Sequence, residues 1–243
     1  MVADRIAKQQ LNVIILVDTS KSMQGERIAQ VNKALREIRE HLVDMQDENT
    51  NVNFSITVIP FSNDASFLNG DRQKEIERFN FRDLKGGGWS NLHCAYDKLS
   101  ELLIKESKGG IMPDFGGVAP IILLMTDGHP TKYPLSREMG ELKKLPWFNA
   151  ALKYGIAIML NDERTRNVLE EFVDGNGDVI DCYDASLLKN IIQIIVLTAS
   201  KVKSSTTGVN ASKPVPKNEQ VVQEVKQALE EVKQALEEVD WEW

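Results

Sequence analysis

The sequence has 243 residues and a formal charge of −7, because 29 lysines and arginines face 36 aspartates and glutamates. Its hydrophobic fraction of 42% and charged fraction of 27% are those of a globular protein with one or two domains, and its acidic balance argues against nonspecific nucleic-acid binding. The two cysteines, Cys94 and Cys182, are far apart and form no CxxC pair, which argues against a disulfide scaffold or a cysteine-based zinc site and indicates a reducing compartment.

No segment has the hydrophobic length of a membrane span or of a signal peptide. The first ten residues, MVADRIAKQQ, contain no apolar stretch, and the longest apolar runs are Ile121–Met125 and Ile191–Leu197. Both runs are far below the roughly 20 residues that cross a bilayer. We therefore expect a cytoplasmic protein that binds neither membrane nor nucleic acid.

Residues 1–200 alternate between apolar strands and amphipathic helices. Leu11–Val17 is an apolar run interrupted only by Asn12, typical of a strand that is buried on both faces of a parallel sheet. The apolar positions between Ile28 and Met45 recur every three or four residues and predict a helix. The other predicted elements are strands at Val52–Phe61 and Ala65–Leu68, a helix at Asn91–Lys105, a strand at Pro120–Met125, a helix at Ser136–Leu152 interrupted near Pro146, a strand at Tyr154–Leu160, a helix at Arg164–Val173, a strand at Asp178–Asp181 and a helix at Ala185–Ser200.

This alternation predicts an α/β fold with a doubly wound, mostly parallel sheet flanked by helices. In such sheets, ligands bind beyond the carboxyl ends of the strands, near the point where the strand order reverses. Polar residues that directly follow apolar strands are therefore the first candidates for a functional site.

The composition changes after Ser200, which divides the chain into a domain at residues 1–200, a linker at 201–218 and an amphipathic helix at 219–243. The linker is rich in Ser, Thr, Pro and Lys, which predicts flexibility. The last segment repeats VKQALEE in tandem, and its seven-residue apolar period predicts a helix with one apolar seam. The seam residues are Val222, Val225, Leu229, Val232, Leu236, Val239 and Trp243.

Three interpretations of this last helix stay open: a solvated helix, a self-associating coiled coil, or a helix that docks on a partner. Three heptads are near the lower limit for a self-sufficient coiled coil. With Val225 at position d, Leu229 falls at position a, an arrangement that does not favour a simple parallel dimer. We favour docking into a hydrophobic groove, or a higher-order bundle, through Val225, Leu229, Val232 and Leu236, in cis or in trans.

Three predicted loops bring five oxygen-bearing side chains to one end of the sheet. Asp18, Ser20 and Ser22 follow the first strand in a D-x-S-x-S pattern, Asp127 follows a later strand, and Ser90 follows a Gly-Gly-Gly break. Carboxylates and hydroxyls are hard ligands that suit Mg²⁺, with Mn²⁺ or Ca²⁺ as alternatives. Taken alone, the first three residues are explained equally well by helix capping, but Ser90 and Asp127 favour metal binding.

These segments resemble the three parts of the metal-ion-dependent adhesion site (MIDAS) of von Willebrand factor A (VWA) domains. The matching segments are DTSKS at 18–22, GGGWSNLHCAYDKL at 86–99 and LLMTDGHPT at 123–131, and their order and spacing match as well. The third segment is especially similar to bacterial tellurite-resistance proteins of the TerY type. The resemblance covers about residues 9–200 and implies a VWA, Rossmann-like fold.

The resemblance also implies a role for each of the five side chains. Ser20 and Ser22 would coordinate the metal directly, Ser90 would bind it directly or through water, and Asp18 and Asp127 would act mainly through water. Ser90 stands where the family usually has Thr, so the hydroxyl is kept but the methyl group that restricts χ1 is lost.

Three further residues near the motifs are candidates for contact with a partner. His93 follows Leu92 in the second segment, where the family often has small residues, His129 lies within the third segment, and Lys132 directly follows it. The three histidines of the chain have no metal-ligand spacing, so we interpret His93 and His129 as partner or packing residues rather than ligands.

Two functions from different classes are compatible with this site. The first is a noncatalytic module that binds a protein partner, whose Asp or Glu completes the shell of the metal. Similarity to TerY-type proteins implies a bacterial cytoplasmic stress-response or defence role, with kinase and phosphatase partners.

The alternative function is a Mg²⁺-dependent phosphohydrolase with Asp18 as its nucleophile. Such enzymes commonly carry a second Asp two residues later as general acid, and this chain has Ser20 there. The sequence also contains neither a phosphate-binding P-loop motif nor a G-x-S-x-G nucleophile elbow. We therefore expect a protein that is not an enzyme.

Overall fold

A computed structural model describes residues 9–48, 52–159, 162–204 and 219–239. Six strands form one sheet in the order β3-β2-β1-β4-β5-β6, in which β3 is antiparallel to β2 and all other neighbours are parallel. The predicted α/β fold with a doubly wound, mostly parallel sheet is thereby confirmed. The strands are β1 Gln9–Asp18, β2 Val52–Phe61, β3 Lys74–Glu75, β4 Ile121–Thr126, β5 Leu152–Ile158 and β6 Gly177–Cys182.

Helices cover both faces of this sheet, as right-handed crossovers between parallel strands require. The described helices are α1 Glu26–Glu48, α2 Leu92–Leu102, α3 Ser136–Lys143, α4 Pro146–Ala150, α5 Glu163–Val173, α6 Ala185–Ser204 and α7 Glu219–Val239. Helices α1, α6 and α7 contribute to the core on one face, and α2 to α5 contribute to the core on the other.

The two central strands are largely apolar because they supply both cores. In β1, Val13 and Ile15 point into the core shared with α1 and α6, whereas Ile14 and Leu16 point into the opposite core. This alternation is the period-two geometry of a strand, and it explains why Val13–Val17 is a continuous apolar run.

Strand order reverses between β1 and β4, which lie side by side at the centre of the sheet. Val17 pairs with Met125, so the chain leaves both strands at the same level, with Asp18 and Thr126 as their last residues. The carboxyl ends of these strands define the switch point where sheets of this type bind ligands.

Several predicted boundaries differ from the structure. The expected strand at Ala65–Leu68 contributes one isolated bridge, from Ala65 to Phe61, and the sheet edge is formed by β3 instead. The strand cannot continue, because Asn69 and Gly70 have positive φ angles and the chain turns there.

The helix predicted at Ser136–Leu152 is two helices, and Leu152 begins β5. Pro146 occupies the first turn of α4, where its missing N–H costs nothing, but within one continuous helix it would remove a hydrogen bond. Helix α2 ends at Leu102 rather than Lys105. At the other end of the chain, α6 continues to Ser204, so the first four residues of the predicted linker are helical and residues 205–218 lie outside the described part.

Helix α7 packs on α6 within the same chain. Val225 and Leu229 are buried in the core that α1 and α6 share, and Lys226 pairs with Asp178 of β6 at 3.3 Å. Within the described ranges, no helix combines the length and the hydrophobicity that crossing a bilayer requires.

Candidate functional site at the carboxyl ends of β1 and β4

The Asp18 carboxylate is the innermost group of the site. Its side chain is fully buried, and its Oδ1 atom accepts a hydrogen bond of 2.8 Å from the backbone N–H of Ser20. Its Oδ2 atom accepts two more, from the hydroxyls of Ser90 at 2.8 Å and Thr126 at 2.7 Å. Asp18 therefore joins all three loops that the sequence places at this end of the sheet.

A chain of hydroxyls leads to the second carboxylate, Asp127. The Ser22 hydroxyl donates to Asp127 Oδ1 at 2.7 Å, and the Ser20 and Ser22 hydroxyl oxygens are 3.0 Å apart. Because a serine hydroxyl has a single proton and that of Ser22 goes to Asp127, Ser20 must donate to Ser22. The Ser22 proton therefore points toward Asp127 and the Ser20 proton toward Ser22, and each oxygen keeps at least one free lone pair.

Backbone hydrogen bonds hold the first two loops against each other. The Lys21 N–H donates to the Gly88 carbonyl at 3.0 Å, and the Gly87 N–H donates to the Thr19 carbonyl at 2.7 Å. Gly88 has a φ of +84°, and a Cβ atom there would lie 2.7 Å from Asn63 Oδ1. The glycine break is thus required by a left-handed backbone and by a close approach between loops.

The third loop is attached to the second through Ser90 and Thr131. The Thr131 N–H donates to the Ser90 carbonyl at 2.8 Å, and the Ser90 N–H donates to the Thr131 hydroxyl at 3.0 Å. These two bonds fix the backbone of Ser90, so its hydroxyl is directed at Asp18.

Arg27, the second residue of α1, supplies the positive charge nearest to these carboxylates. Its Nη1 atom lies 3.1 Å from Asp127 Oδ2 and donates to the Ser22 carbonyl at 3.1 Å. The ion pair lacks hydrogen-bond alignment, so Asp127 Oδ2 is buried without a hydrogen-bond donor among the described residues. Burial raises the pKa of Asp127, and Asp18 adds to this effect, while the Ser22 hydroxyl and Arg27 oppose it.

Comparison with known proteins bears directly on this arrangement. The family model for the von Willebrand factor type A domain matches residues 12–227, which is most of the chain and includes all three loops. The chain belongs to this family. No curated protein matches it.

Solved structures share the fold of this VWA domain. VWA2, the ArnB paralog from Sulfolobus acidocaldarius, matches with a TM-score of 0.52 at 20% identity, over 76% of this chain and 44% of that one. Proximal thread matrix protein 1 from the mussel byssus matches with a TM-score of 0.55 at 21% identity, over 79% and 48%. The pilus adhesin SpaC from Lactobacillus rhamnosus GG gives 0.55 at 13% identity, over 81% and 31%. The chain spans less than half the length of these proteins, and the likeness concerns the fold alone.

The five predicted metal-binding residues of the VWA domain lie together. Asp18, Ser20, Ser22, Ser90 and Asp127 are joined by the hydrogen bonds described above, with Asp18 and Asp127 behind the three hydroxyls. Within the described residues, no group of three or more His, Cys, Asp or Glu could hold a metal. Any cation here would have to be bound largely through hydroxyl oxygens and water.

The separation of the Ser20 and Ser22 oxygens suits a small octahedral cation. Two ligands at about 2.1 Å from Mg²⁺ and at right angles to each other lie about 3.0 Å apart. The hydroxyl oxygens have this spacing, 3.0 Å, in the hydrogen bond that joins them. The Asp127 Oδ2 atom is ion-paired with Arg27 but receives no hydrogen bond among the described residues, so it offers a further acceptor for a metal-bound water.

The predicted partner-contact residues are placed less uniformly. His129 is exposed and its ring lies 4.9 Å from that of Tyr133, whereas His93 is half-buried on α2. Lys132 is committed to Glu138, to which it donates at 2.8 Å, and this bond together with Arg137 lowers the pKa of Glu138 to about 2. Of the three, His129 is the residue best placed to meet a partner.

The seam residues Val225 and Leu229 are not at this site. They are covered by the chain's own core, so the structure gives them a role in cis and leaves a partner no access to them. The side chains of Val232 and Leu236 lie outside the described residues.

Sequence reasoning assigned no role to Thr126, Arg27 or the exposed aromatic residues Trp89 and Tyr133. Thr126 is the last residue of β4 and donates to Asp18. Its position opposite Asp18 in the strand register was the available signal, but it requires knowing that β1 and β4 are neighbours. Trp89 and Tyr133 are 67% and 46% exposed, and each is within two residues of the bonded pair Ser90 and Thr131.

Proposed function

We propose that this VWA domain is a noncatalytic, metal-dependent module for protein–protein interaction. In this proposal Mg²⁺ is bound by the hydroxyls of Ser20, Ser22 and Ser90, with Asp18 and Asp127 acting through water, and a partner supplies an Asp or Glu side chain to the metal. The hydrogen bonds from Ser22 to Asp127 and from Ser90 to Asp18 are the observation that carries the proposal. Since the protons of Ser22 and Ser90 are donated to carboxylates, their oxygens present lone pairs to a cation.

The charges at the site favour an anionic visitor once a divalent cation is bound. Asp18, Asp127 and Arg27 together carry −1, so a divalent cation brings this cluster to +1. A single carboxylate from a partner would then neutralise it. The bound Mg²⁺ would attract the partner's carboxylate strongly, because the site around Asp18 and Asp127 is buried and solvent screens charges poorly there.

Exposed aromatic side chains beside the site give a partner an apolar contact. Trp89 directly precedes Ser90. The ring of Tyr133 is tilted against that of His129, which lies two residues after Asp127. Large exposed aromatic residues are enriched at binding surfaces, where they contribute much of the affinity. We propose that the partner segment places its acidic residue at the metal and rests neighbouring apolar atoms on these rings.

We extend the proposal to the biological setting that the third motif suggests. The similarity of LLMTDGHPT to TerY-type proteins supports a bacterial cytoplasmic stress-response or defence system, with kinase or phosphatase partners. Mn²⁺ or Ca²⁺ could replace Mg²⁺, since the same oxygen ligands suit all three ions.

Phosphoester hydrolysis is not proposed. In that alternative Asp18 would be the nucleophile, but its carboxylate is fully buried and both oxygens accept hydrogen bonds from Ser20, Ser90 and Thr126. A nucleophile needs an oxygen that faces substrate. This geometry favours a role for Asp18 in positioning the hydroxyls.

The double substitution Ser20→Ala/Ser22→Ala tests the proposal. Because it removes two hydroxyl ligands and leaves the buried strands unchanged, we expect heat release on titration with Mg²⁺ to disappear while the circular dichroism spectrum is retained. The matched control is Ser66→Ala/Ser136→Ala, which changes two exposed serines outside the hydrogen-bonded cluster and should bind Mg²⁺ like the wild type.

Partner capture is tested with the same proteins. Immobilised wild type should retain its partner from a host lysate in Mg²⁺ and release it in EDTA, and the Ser20→Ala/Ser22→Ala variant should capture none. Capture that is unchanged by EDTA, or a wild type that binds no Mg²⁺, would reject the proposed function.

A further inference from the structure

Arg27 holds an unusual position for a cation. It lies in the first turn of α1, where the helix dipole disfavours positive charge, and its Nε atom is buried without a hydrogen-bond partner among the described residues. Two contacts offset these costs: Nη1 lies 3.1 Å from Asp127 Oδ2 and 3.1 Å from the Ser22 carbonyl oxygen. The guanidinium is therefore bound to the same two residues that flank the proposed metal position.

We propose that Arg27 is a built-in counter-cation of the metal site, which stabilises Asp127 when no metal is bound and lowers the affinity of the site for Mg²⁺. This inference rests on the proposed function. Its contact with Asp127 Oδ2 competes with a metal-bound water for the same acceptor atom. Its charge also repels a divalent cation bound beside the Ser22 hydroxyl, which is 2.7 Å from the other oxygen of Asp127.

The charge balance gives this arrangement a consequence for binding. Without Arg27, the two aspartates would fully neutralise a divalent cation, and the loaded site would have no net attraction for a partner's carboxylate. With Arg27, the metal is held less tightly and the loaded site keeps one positive charge. Arg27 thus lowers the affinity of the site for the metal and leaves the loaded site with a positive charge that attracts a carboxylate.

Titration calorimetry with Mg²⁺ alone, on the full chain, tests the inference with the variant Arg27→Gln. We expect Arg27→Gln to bind Mg²⁺ roughly five- to tenfold more tightly than the wild type, because a partly screened charge next to the ion is removed. The control is Arg36→Gln on the same helix, whose arginine pairs with Asp83 away from the site, and its affinity should equal that of the wild type. Thermal melting without metal should be lower for Arg27→Gln than for Arg36→Gln.

A measurement on the wild type keeps the inference testable if Arg27→Gln does not fold. The guanidinium NMR signal of Arg27 should shift on addition of Mg²⁺, and that of Arg36 should not. The inference is overturned if Arg27→Gln binds Mg²⁺ no more tightly than the wild type, if Arg36→Gln gains as much, or if the Arg27 signal does not respond. A wild type that binds no Mg²⁺ overturns the proposed function and, with it, this inference. A wild type that binds Mg²⁺ while Arg27→Gln binds it no more tightly overturns the inference alone.

Discussion

At the scale of single residues, the site depends on donors that converge on one buried carboxylate. Asp18 accepts from a backbone N–H and two hydroxyls, and all three donors come from different loops or strand ends. A buried acceptor that loses a donor keeps its desolvation cost, so each donor contributes to stability as well as to geometry. Thr126 is the donor that the metal hypothesis does not use directly, which makes it the cleanest probe of the scaffold.

Replacing Thr126 by Val removes the hydroxyl and keeps the shape. We expect Thr126→Val to lower the free energy of unfolding by about 1–3 kcal/mol, because Asp18 Oδ2 loses a bond of 2.7 Å and stays buried. Thr126→Ser, which keeps the hydroxyl, should lose clearly less. Urea denaturation monitored by tryptophan fluorescence measures both, and equal stability of Thr126→Val and wild type would contradict the argument.

The sequence predicted a shared location for the five oxygen-bearing residues from two signals. Asp18 ends β1 and Asp127 follows β4, so the rule that parallel strands end together places the first and third loops side by side. Ser90 follows no parallel strand, and its place was predicted from the glycine break and the resemblance of its segment to the second VWA motif. Arg27 could not be predicted in this way. Its contact with Asp127 depends on where the first turn of α1 lies relative to β4, which no local pattern encodes.

At the scale of elements, apolar runs predicted the central strands closely but missed the edge strand β3. The central strands β1 and β4 are buried on both faces, so their composition reports their position directly. The edge strand β3 has two residues, Lys74 and Glu75, with no apolar signal. Its place is set by pairing with β2, and such nonlocal pairing leaves no trace in a two-residue segment.

The last helix, α7, was predicted from its sequence, but the surface on which it packs was not. Its seven-residue period correctly predicted α7, but the period specifies an apolar seam and not the surface that covers it. In the structure the seam meets the chain's own α6, with Val225 and Leu229 buried. Docking in cis is favoured by effective concentration, since the helix is tethered to the surface it covers.

Substitution in this seam tests whether α7 belongs to the core. We expect Leu229→Ala to lower the free energy of unfolding by about 2–4 kcal/mol, the usual cost of a cavity at a buried leucine. Gln223→Ala, on the exposed side of the same helix, should change it by less than about 0.5 kcal/mol. A Leu229→Ala variant as stable as Gln223→Ala in urea denaturation would show that α7 is not part of the cooperative unit.

At the scale of the whole molecule, two cores share one sheet, and nearly all charged groups lie outside them. Lys153 is an exception, because this second residue of β5 has only 1% of its surface exposed. Its ammonium donates to the Phe148 carbonyl at 3.1 Å and lies 4.5 Å from the centre of the Phe148 ring. Burial lowers the pKa of Lys153 from 10.5 to about 8, and Lys143 adds to this effect while Asp174 opposes it.

This lowered pKa predicts that the protein becomes more stable as the pH rises from about 8 to about 10.5. In that window the unfolded chain holds a proton on Lys153 that the folded chain has released, so the free energy of unfolding increases with pH. We expect the wild type to gain about 2–3 kcal/mol there relative to Lys153→Met, in which the buried amine is replaced by an apolar side chain of similar length. Other lysines and tyrosines titrate in both proteins and cancel in the difference. Urea denaturation at pH 7, 8, 9 and 10.5 measures it, and a difference that does not change with pH would mean that Lys153 keeps its ordinary pKa in the folded protein.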